Sequence, residues 1–146
     1  MTTSQNDITK YRLERAIETL EEAKTMLQNG HTNAFVNRLY YACFYSVSAW
    51  LALNDLVSSK HSGVRALMHQ KLVKHGIISI EQGILYDRLF NNRQKGDYVD
   101  FVHFNAEEVA PWLDEAKMFV ETINSLIYWE DRDIPDSAPR FAQFKD

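Results

Sequence analysis

Apolar residues recur at steps of three and four near the start of the chain, in the manner of an amphipathic helix. This stripe lies between Asn6 and Gln28 and comprises Leu13, Ile17, Leu20, Ala23 and Leu27. Asn29 and Gly30 follow, and glycine readily adopts the left-handed conformation that ends helices. The pattern predicts a first helix from about Asn6 to Gln28 that buries one face.

The next segment is apolar on almost every side. From Asn33 to Leu53, Arg38 is the only charged residue. A helix of this kind must be covered over most of its surface. We therefore expect Asn33–Leu53 to be enclosed by neighbouring helices, by a second subunit, or by both. Thr32 and Asn33 are both suitable N-cap residues for it.

Two shorter helices are predicted after a loop. The third runs from about Ser62 to Lys74 and ends at Gly76. The fourth begins at Ser79, where Gln82 three residues later completes a capping box. We expect the fourth helix to end near Asn92.

The last long helix is predicted after an irregular stretch, residues 94–104. Asn105 and Glu108 have the spacing of a second capping box, and Pro111 falls within the first two turns, where a missing N–H is tolerated. The predicted fold is all-α, an antiparallel up-and-down bundle of four to five helices. Residues 1–128 form the predicted domain. Residues 129–146, which hold two of the three prolines, form a predicted irregular C-terminal extension.

Composition narrows the function classes. With 146 residues, 45% of them hydrophobic, the chain can form one core without disulfides or metal. A net charge of −4 argues against indiscriminate binding to nucleic acid or anionic membranes. The single cysteine, Cys43, lies in the most apolar segment and is expected in the core. The polar first residues do not resemble a signal peptide, so we expect a cytoplasmic protein. We also expect that it needs no cofactor or metal.

A basic segment interrupts this acidic chain. Residues 60–75 contain seven Lys, Arg and His side chains and no Asp or Glu. His61, Arg65 and His69 are spaced by four and would share one helix face. Such a face suits a phosphate-bearing ligand such as RNA or a nucleotide. The alternatives are a solvated surface or a partner for the acidic face of the first helix.

Two further groups of polar residues are candidates for a site. Arg38 requires a partner if it is buried, and Asn37 and Tyr41 lie close to it on the same helix. The second group is the segment Asn92–Tyr98, which combines Arg, Lys, Asp and Tyr around a glycine. Arg38 could equally reach solvent or form a structural ion pair, and Asn92–Tyr98 could be an ordinary helix end.

Four segments together resemble the HEPN family, in particular its small stand-alone prokaryotic members. They are Tyr11–Ala16, Asn37–Tyr45, His61–Leu67 and Arg93–Tyr98, and the match spans roughly Lys10–Leu126. The resemblance implies a helical bundle that is usually a homodimer. It also implies kinship with ribonucleases and toxins that are often paired with a minimal nucleotidyltransferase as antitoxin.

Catalytic members of that family carry an Arg-x(4-6)-His motif across a dimer cleft, where RNA is cut without metal. None of the five histidines of this chain has that spacing after an arginine. Arg93 is the candidate motif arginine, and the positions where the histidine is expected hold Tyr98, Val99 and Asp100. Asp97 and Tyr98 resemble a substitute for the histidine in this branch of the family.

Three functions remain open. The first is a non-catalytic or divergent module that binds RNA or a nucleotide and works with a nucleotidyltransferase in a toxin–antitoxin-type system. The second is a metal-independent, ribonuclease-like toxin that uses Arg93, Asp97 and Tyr98. The third is a structural dimer without ligand. The candidate binding residues are Asn37, Arg38, Tyr41, His61, Arg65 and His69.

Overall fold

The computed structural model describes residues 3–131, and all regular structure in that range is helical. The helices are α1 (Thr3–Gln28), α2 (Thr32–Leu53), α3 (His61–Met68), α4 (Ile80–Tyr98), α5 (Ala106–Val109) and α6 (Trp112–Asp131). A π-helical turn, His69–Val73, continues α3. The predicted all-α bundle is confirmed. Most of the predicted C-terminal extension, residues 132–146, lies outside the described residues.

Helix α2 is the centre of the bundle, as its apolar sequence predicts. It contacts α1, α3, α4, α5 and α6. Its largest enclosed side chains are Phe35, Leu39 and Tyr40, which have no exposed surface. Cys43 is also fully buried, and burial raises the pKa of its thiol far above the ordinary range. It is therefore an unreactive core residue.

Helices α1 and α2 form a tight hairpin. Gly30 has a φ of +77°, and the amide of His31 donates to the carbonyl of Met26 at 2.9 Å, which closes the end of α1. The buried side of α1 carries small residues, Ala16, Thr19 and Ala23, which allow α2 to approach closely. The prediction that Ile17 belongs to the buried face of α1 was wrong, because its side chain is 50% exposed.

The N-terminus of α2 differs from the expected cap. Neither Thr32 nor Asn33 is the N-cap; His31 occupies that position without a side-chain hydrogen bond. Asn33 is instead committed to a distant loop. Its amide donates to the carbonyl of Val102 at 2.7 Å, and its oxygen accepts from the amide of Phe104 at 3.1 Å. These bonds fix the segment that follows α4 against the start of α2.

Helix α4 begins as predicted and ends later. The capping box of Ser79 and Gln82 is present, but the helix continues to Tyr98 rather than ending near Asn92. Gly96 does not break the helix. A Cβ at that position would lie 2.9 Å from the Phe104 ring. The glycine is used for close packing rather than for a turn. This extension places Arg93 and Asp97 on a rigid helix.

The predicted last helix is divided in two. Asn105 caps α5 by accepting from the amides of Glu107 and Glu108 at 2.8 and 3.3 Å. Helix α5 then ends, and α6 begins after Pro111. Because proline has no N–H to donate, the helical ladder is interrupted there. The apolar face of α6 covers α2 as expected, through Phe119, Ile123 and other buried residues.

We predict that Asn33→Ala lowers the free energy of unfolding by about 1–3 kcal/mol, because it leaves two backbone groups of the 102–104 segment without partners. Asn29→Ala is the matched control. It removes one exposed hydrogen bond, to the carbonyl of Thr25, and should change stability by about 0.5 kcal/mol or less. Urea denaturation of both variants measures the difference. Equal destabilisation by the two substitutions would contradict the role given to Asn33.

Candidate functional site

The side chain of Arg93 packs against two tyrosine rings. It extends from α4 toward α2, and its guanidinium carbon is 4.8 Å from the centre of the Tyr40 ring and 5.8 Å from that of Tyr41. Arg93 is only 7% exposed. A guanidinium over a desolvated tyrosine face gains about 2 kcal/mol. The aromatic residues of α2 therefore hold the arginine in place.

The positive charge of Arg93 is not neutralised within the described part of the chain. None of the ion pairs among the side chains described for residues 6–127 includes Arg93. Its buried Nε has no hydrogen-bond acceptor there either. A buried cation and a buried donor without partners are both costly. An anionic ligand would relieve both costs.

His61 also contacts Tyr40. Its Nδ1 is 2.7 Å from the hydroxyl of Tyr40. The imidazole stacks on Phe44 with ring centres 4.4 Å apart and meets the edge of Tyr41 at 5.7 Å. Three contacts from α2 thus orient the first residue of α3. We define Tyr40, Tyr41, His61 and Arg93 as the Arg93 site.

The electrostatics of the Arg93 site favour neutral partners around one cation. Burial raises the pKa of Tyr40 to about 12, so its hydroxyl stays protonated at neutral pH. Partial burial, reinforced by the charge of Arg93, lowers the pKa of His61 below its ordinary value. The imidazole is therefore predominantly neutral at pH 7 and offers one ring nitrogen as a proton acceptor.

Asp97, Asn37, Arg38 and Glu22 form a connected series of polar contacts next to the Arg93 site. The Asn37 amide donates to Asp97 at 2.9 Å. Arg38 donates to the Asn37 oxygen at 2.8 and 3.0 Å and to Glu22 at 3.2 Å. We call these four residues the polar chain. It links α4 to α2 and α1.

Arg38 thus forms a structural ion pair with Glu22 and also lies next to the Arg93 site. Its guanidinium carbon lies 5.2 Å from the centre of the Tyr41 ring, which Arg93 also approaches. The two arginines flank one tyrosine. They differ in charge balance, because Glu22 neutralises Arg38.

Arg65 and His69 are occupied elsewhere. Both reach the same carboxylate oxygen of Asp87, at 2.7 Å from Arg65 Nε and 2.9 Å from His69 Nε2. Burial alone would raise the pKa of Asp87, but these two hydrogen bonds outweigh that effect and hold the pKa below its ordinary value. The basic segment is therefore bound to α4 through Asp87, and not to the acidic face of the first helix.

Tyr98 does not join the other candidates. It is 76% exposed and borders a shallow depression with Asn91, Gln94 and Lys95. Arg93 and Asp97, four residues apart, share a face of α4, whereas Tyr98 lies on another. The structure brings together Asn37, Arg38, Tyr41, His61, Arg93 and Asp97.

Sequence reasoning missed Tyr40, Phe44 and Glu22. A buried tyrosine needs a partner for its hydroxyl, so the Tyr40-Tyr41 pair in an apolar helix was a usable signal for the first. Glu22 belongs to an acidic face whose side chains are equivalent in sequence, and only the packing of α1 on α2 selects it. Among the described residues no cluster of His, Cys, Asp and Glu is arranged to bind a metal ion. The described helices also include none with the length and hydropathy needed to cross a membrane.

Comparison with known proteins identifies the family to which this chain is similar. The HEPN domain model matches residues 9–126. A Thermotoga maritima protein named "UPF0332 protein" is 43% identical over 82% of this chain and 91% of its own length. Two Methanocaldococcus jannaschii proteins are each named "Putative toxin". One is 33% identical over 79% of this chain and 85% of its own, and the other is 29% identical over 76% and 78%.

We predict that Arg93→Met raises the pKa of His61, because it removes the nearby positive charge while keeping a side chain of similar length. Titration of the imidazole by NMR measures the change. Arg88→Met is the control, since Arg88 pairs with Glu115 on the surface. An unchanged His61 pKa in the Arg93 variant would show that the two groups are not coupled.

Proposed function

The chain belongs to the HEPN family, and we propose that it is a toxin-type member whose Arg93 site binds a phosphate of RNA or of a nucleotide. The observation that supports this proposal is the buried, unneutralised guanidinium of Arg93. A phosphate is a suitable ligand because its oxygens accept hydrogen bonds from a guanidinium in a planar, often bidentate geometry.

The surroundings of Arg93 support a nucleic-acid ligand over an isolated inorganic anion. Tyr41 and His61 are half-buried rings beside the cation, and bases stack on rings of this kind. Asn37 and Arg38 add hydrogen-bond donors at the edge of the site, although Glu22 and Asp97 share them. Arg65 and His69 lie in the Asp87 network and are not part of the proposed site.

We also propose a partner and an assembly. The family, together with relatives named "Putative toxin", supports a homodimer that is controlled by a minimal nucleotidyltransferase acting as antitoxin. The proposed role of this chain is the RNA- or nucleotide-binding half of that pair. Co-expression with a neighbouring nucleotidyltransferase gene would test the pairing.

We predict that Arg93→Met weakens binding of a short labelled oligouridylate about tenfold or more, because it removes a charge-assisted hydrogen-bond donor. The slope of log affinity against log salt should fall by about 0.7, as expected for one lost phosphate contact on a single strand. Arg88→Met, which changes the net charge equally at a surface ion pair, should have little effect. Fluorescence anisotropy measures both.

Thermal unfolding separates this result from misfolding. An unpaired buried charge is costly, and removing that cost offsets the about 2 kcal/mol of cation–π contact that the substitution also loses. The midpoint of Arg93→Met should therefore equal or exceed that of the original protein. Equal RNA affinity of the Arg93 and Arg88 variants would contradict the proposed site and leave the structural dimer as the better interpretation.

A second candidate function is metal-independent RNA cleavage, and the position of His61 favours it. A neutral imidazole beside a phosphate-binding arginine can take the proton of a ribose 2′-hydroxyl. The 2′ oxygen would attack phosphorus, the bond to the 5′ oxygen would break, and the proton would pass to that leaving oxygen. Arg93 would stabilise the charge on the phosphate. Asp97 could act only after leaving Asn37.

We predict for this second function that cleavage of labelled RNA persists in EDTA and is lost in both Arg93→Met and His61→Asn. The rate should fall as pH drops through the lowered pKa of His61, because the protonated imidazole cannot accept a proton. His69→Asn is the matched control. Cleavage by all variants alike, or by none of the proteins, would remove the enzymatic interpretation.

A further inference from the structure

A concave surface lies near the Arg93 site. It is a groove of about 430 Å³ between the start of α1, the end of α2 and the segment that joins α2 to α3. Its volume is within the about 300–1,000 Å³ typical of ligand clefts. Its walls are mainly apolar and aromatic, and include Tyr11, Phe44, Tyr45, Leu51, Leu56 and Val64.

The groove is continuous with the Arg93 site through shared rings. Phe44 forms part of its wall and is also the ring on which His61 stacks. Tyr45, the next wall residue, lies 6.0 Å from Tyr41, which in turn contacts Arg93. The groove therefore begins one aromatic ring away from the cation.

The chemistry of the groove fits a nucleobase better than an uncharged apolar ligand. Tyr11 is 62% exposed and presents a ring at the rim. The guanidinium of Arg15 lies 5.2 Å from the centre of the Tyr45 ring. Arg12 is fixed at the wall, where it donates to the carbonyl of Ser48 at 3.0 Å. Aromatic rings with adjacent arginines are the usual combination in single-strand nucleic-acid binding.

We propose that this groove, lined by Tyr11, Phe44 and Tyr45, is a nucleobase subsite for a single-stranded RNA whose phosphate is held at Arg93. The inference rests on the phosphate site proposed above and extends it to a second contact. It assigns the stacking rings to α1 and α2, while the phosphate-binding residue comes from α4. The ligand class is then single-stranded RNA rather than a duplex, whose bases are paired and stacked on each other.

The test compares oligouridylate with a fully abasic oligomer of the same length, made with stable tetrahydrofuran sugars. The original protein should bind the abasic oligomer about fivefold or more weakly, since stacking of one base contributes that much. Tyr11→Ala and Tyr45→Leu should lose affinity for oligouridylate and bind the abasic oligomer as the original protein does. Phe101→Ala is the control, because Phe101 is a 99% exposed aromatic residue outside the groove.

The outcomes distinguish this inference from the function on which it rests. If Tyr11→Ala and Tyr45→Leu bind oligouridylate normally while Arg93→Met does not, the base subsite is wrong and the phosphate site stands. If Arg93→Met also binds normally, the phosphate site itself is wrong. Equal losses on both oligomers, or a change of oligomeric state in Tyr11→Ala without RNA, would overturn the subsite in favour of a structural or protein-binding role for the groove.

Discussion

The need to cover one helix on nearly every side governs this structure. Because α2 is apolar around most of its circumference, the surrounding helices must pack against it, and the core of the bundle is largely the surface of α2. Asn33, Asn37 and Tyr40 are spaced by four and three residues and form one polar strip along this helix. The position of that strip decides where a polar site can exist.

The strip on α2 meets the C-terminal half of α4 and the segment that follows α4, turn by turn. Asn33 forms hydrogen bonds with Val102 and Phe104. Asn37 forms a hydrogen bond with Asp97, and the ring of Tyr40 contacts the guanidinium of Arg93. Numbers rise along one partner and fall along the other, as expected for antiparallel packing. The candidate site is thus part of the helix–helix interface, which explains why its cation is both rigid and shielded from solvent.

Local signals in the sequence were sufficient for the fold and for part of the site. Gly30 and the Ser79 capping box mark helix ends by their own conformational chemistry, and both are correct. The end of α4 was misplaced because residues 94–104, which include Gly96, were predicted to be irregular, whereas Gly96 is helical and Phe104 occupies the space that a Cβ would need. Arg65 and His69 share a helix face as predicted, yet Asp87 binds them, and only tertiary packing brings that carboxylate near. Long-range partners of this kind have no periodic signature.

The turn-by-turn contacts between α2 and α4 also set where the chain can change length during evolution. An insertion or deletion of one residue within 33–41 or 93–98 would rotate every later side chain of that helix by about 100°. It would separate Asn33, Asn37 and Tyr40 from their partners all at once. The 54–60 segment carries no such register, and its length can drift at small entropic cost. We therefore expect a change of length to be tolerated better in the segment that joins α2 to α3 than within the α2–α4 pairing.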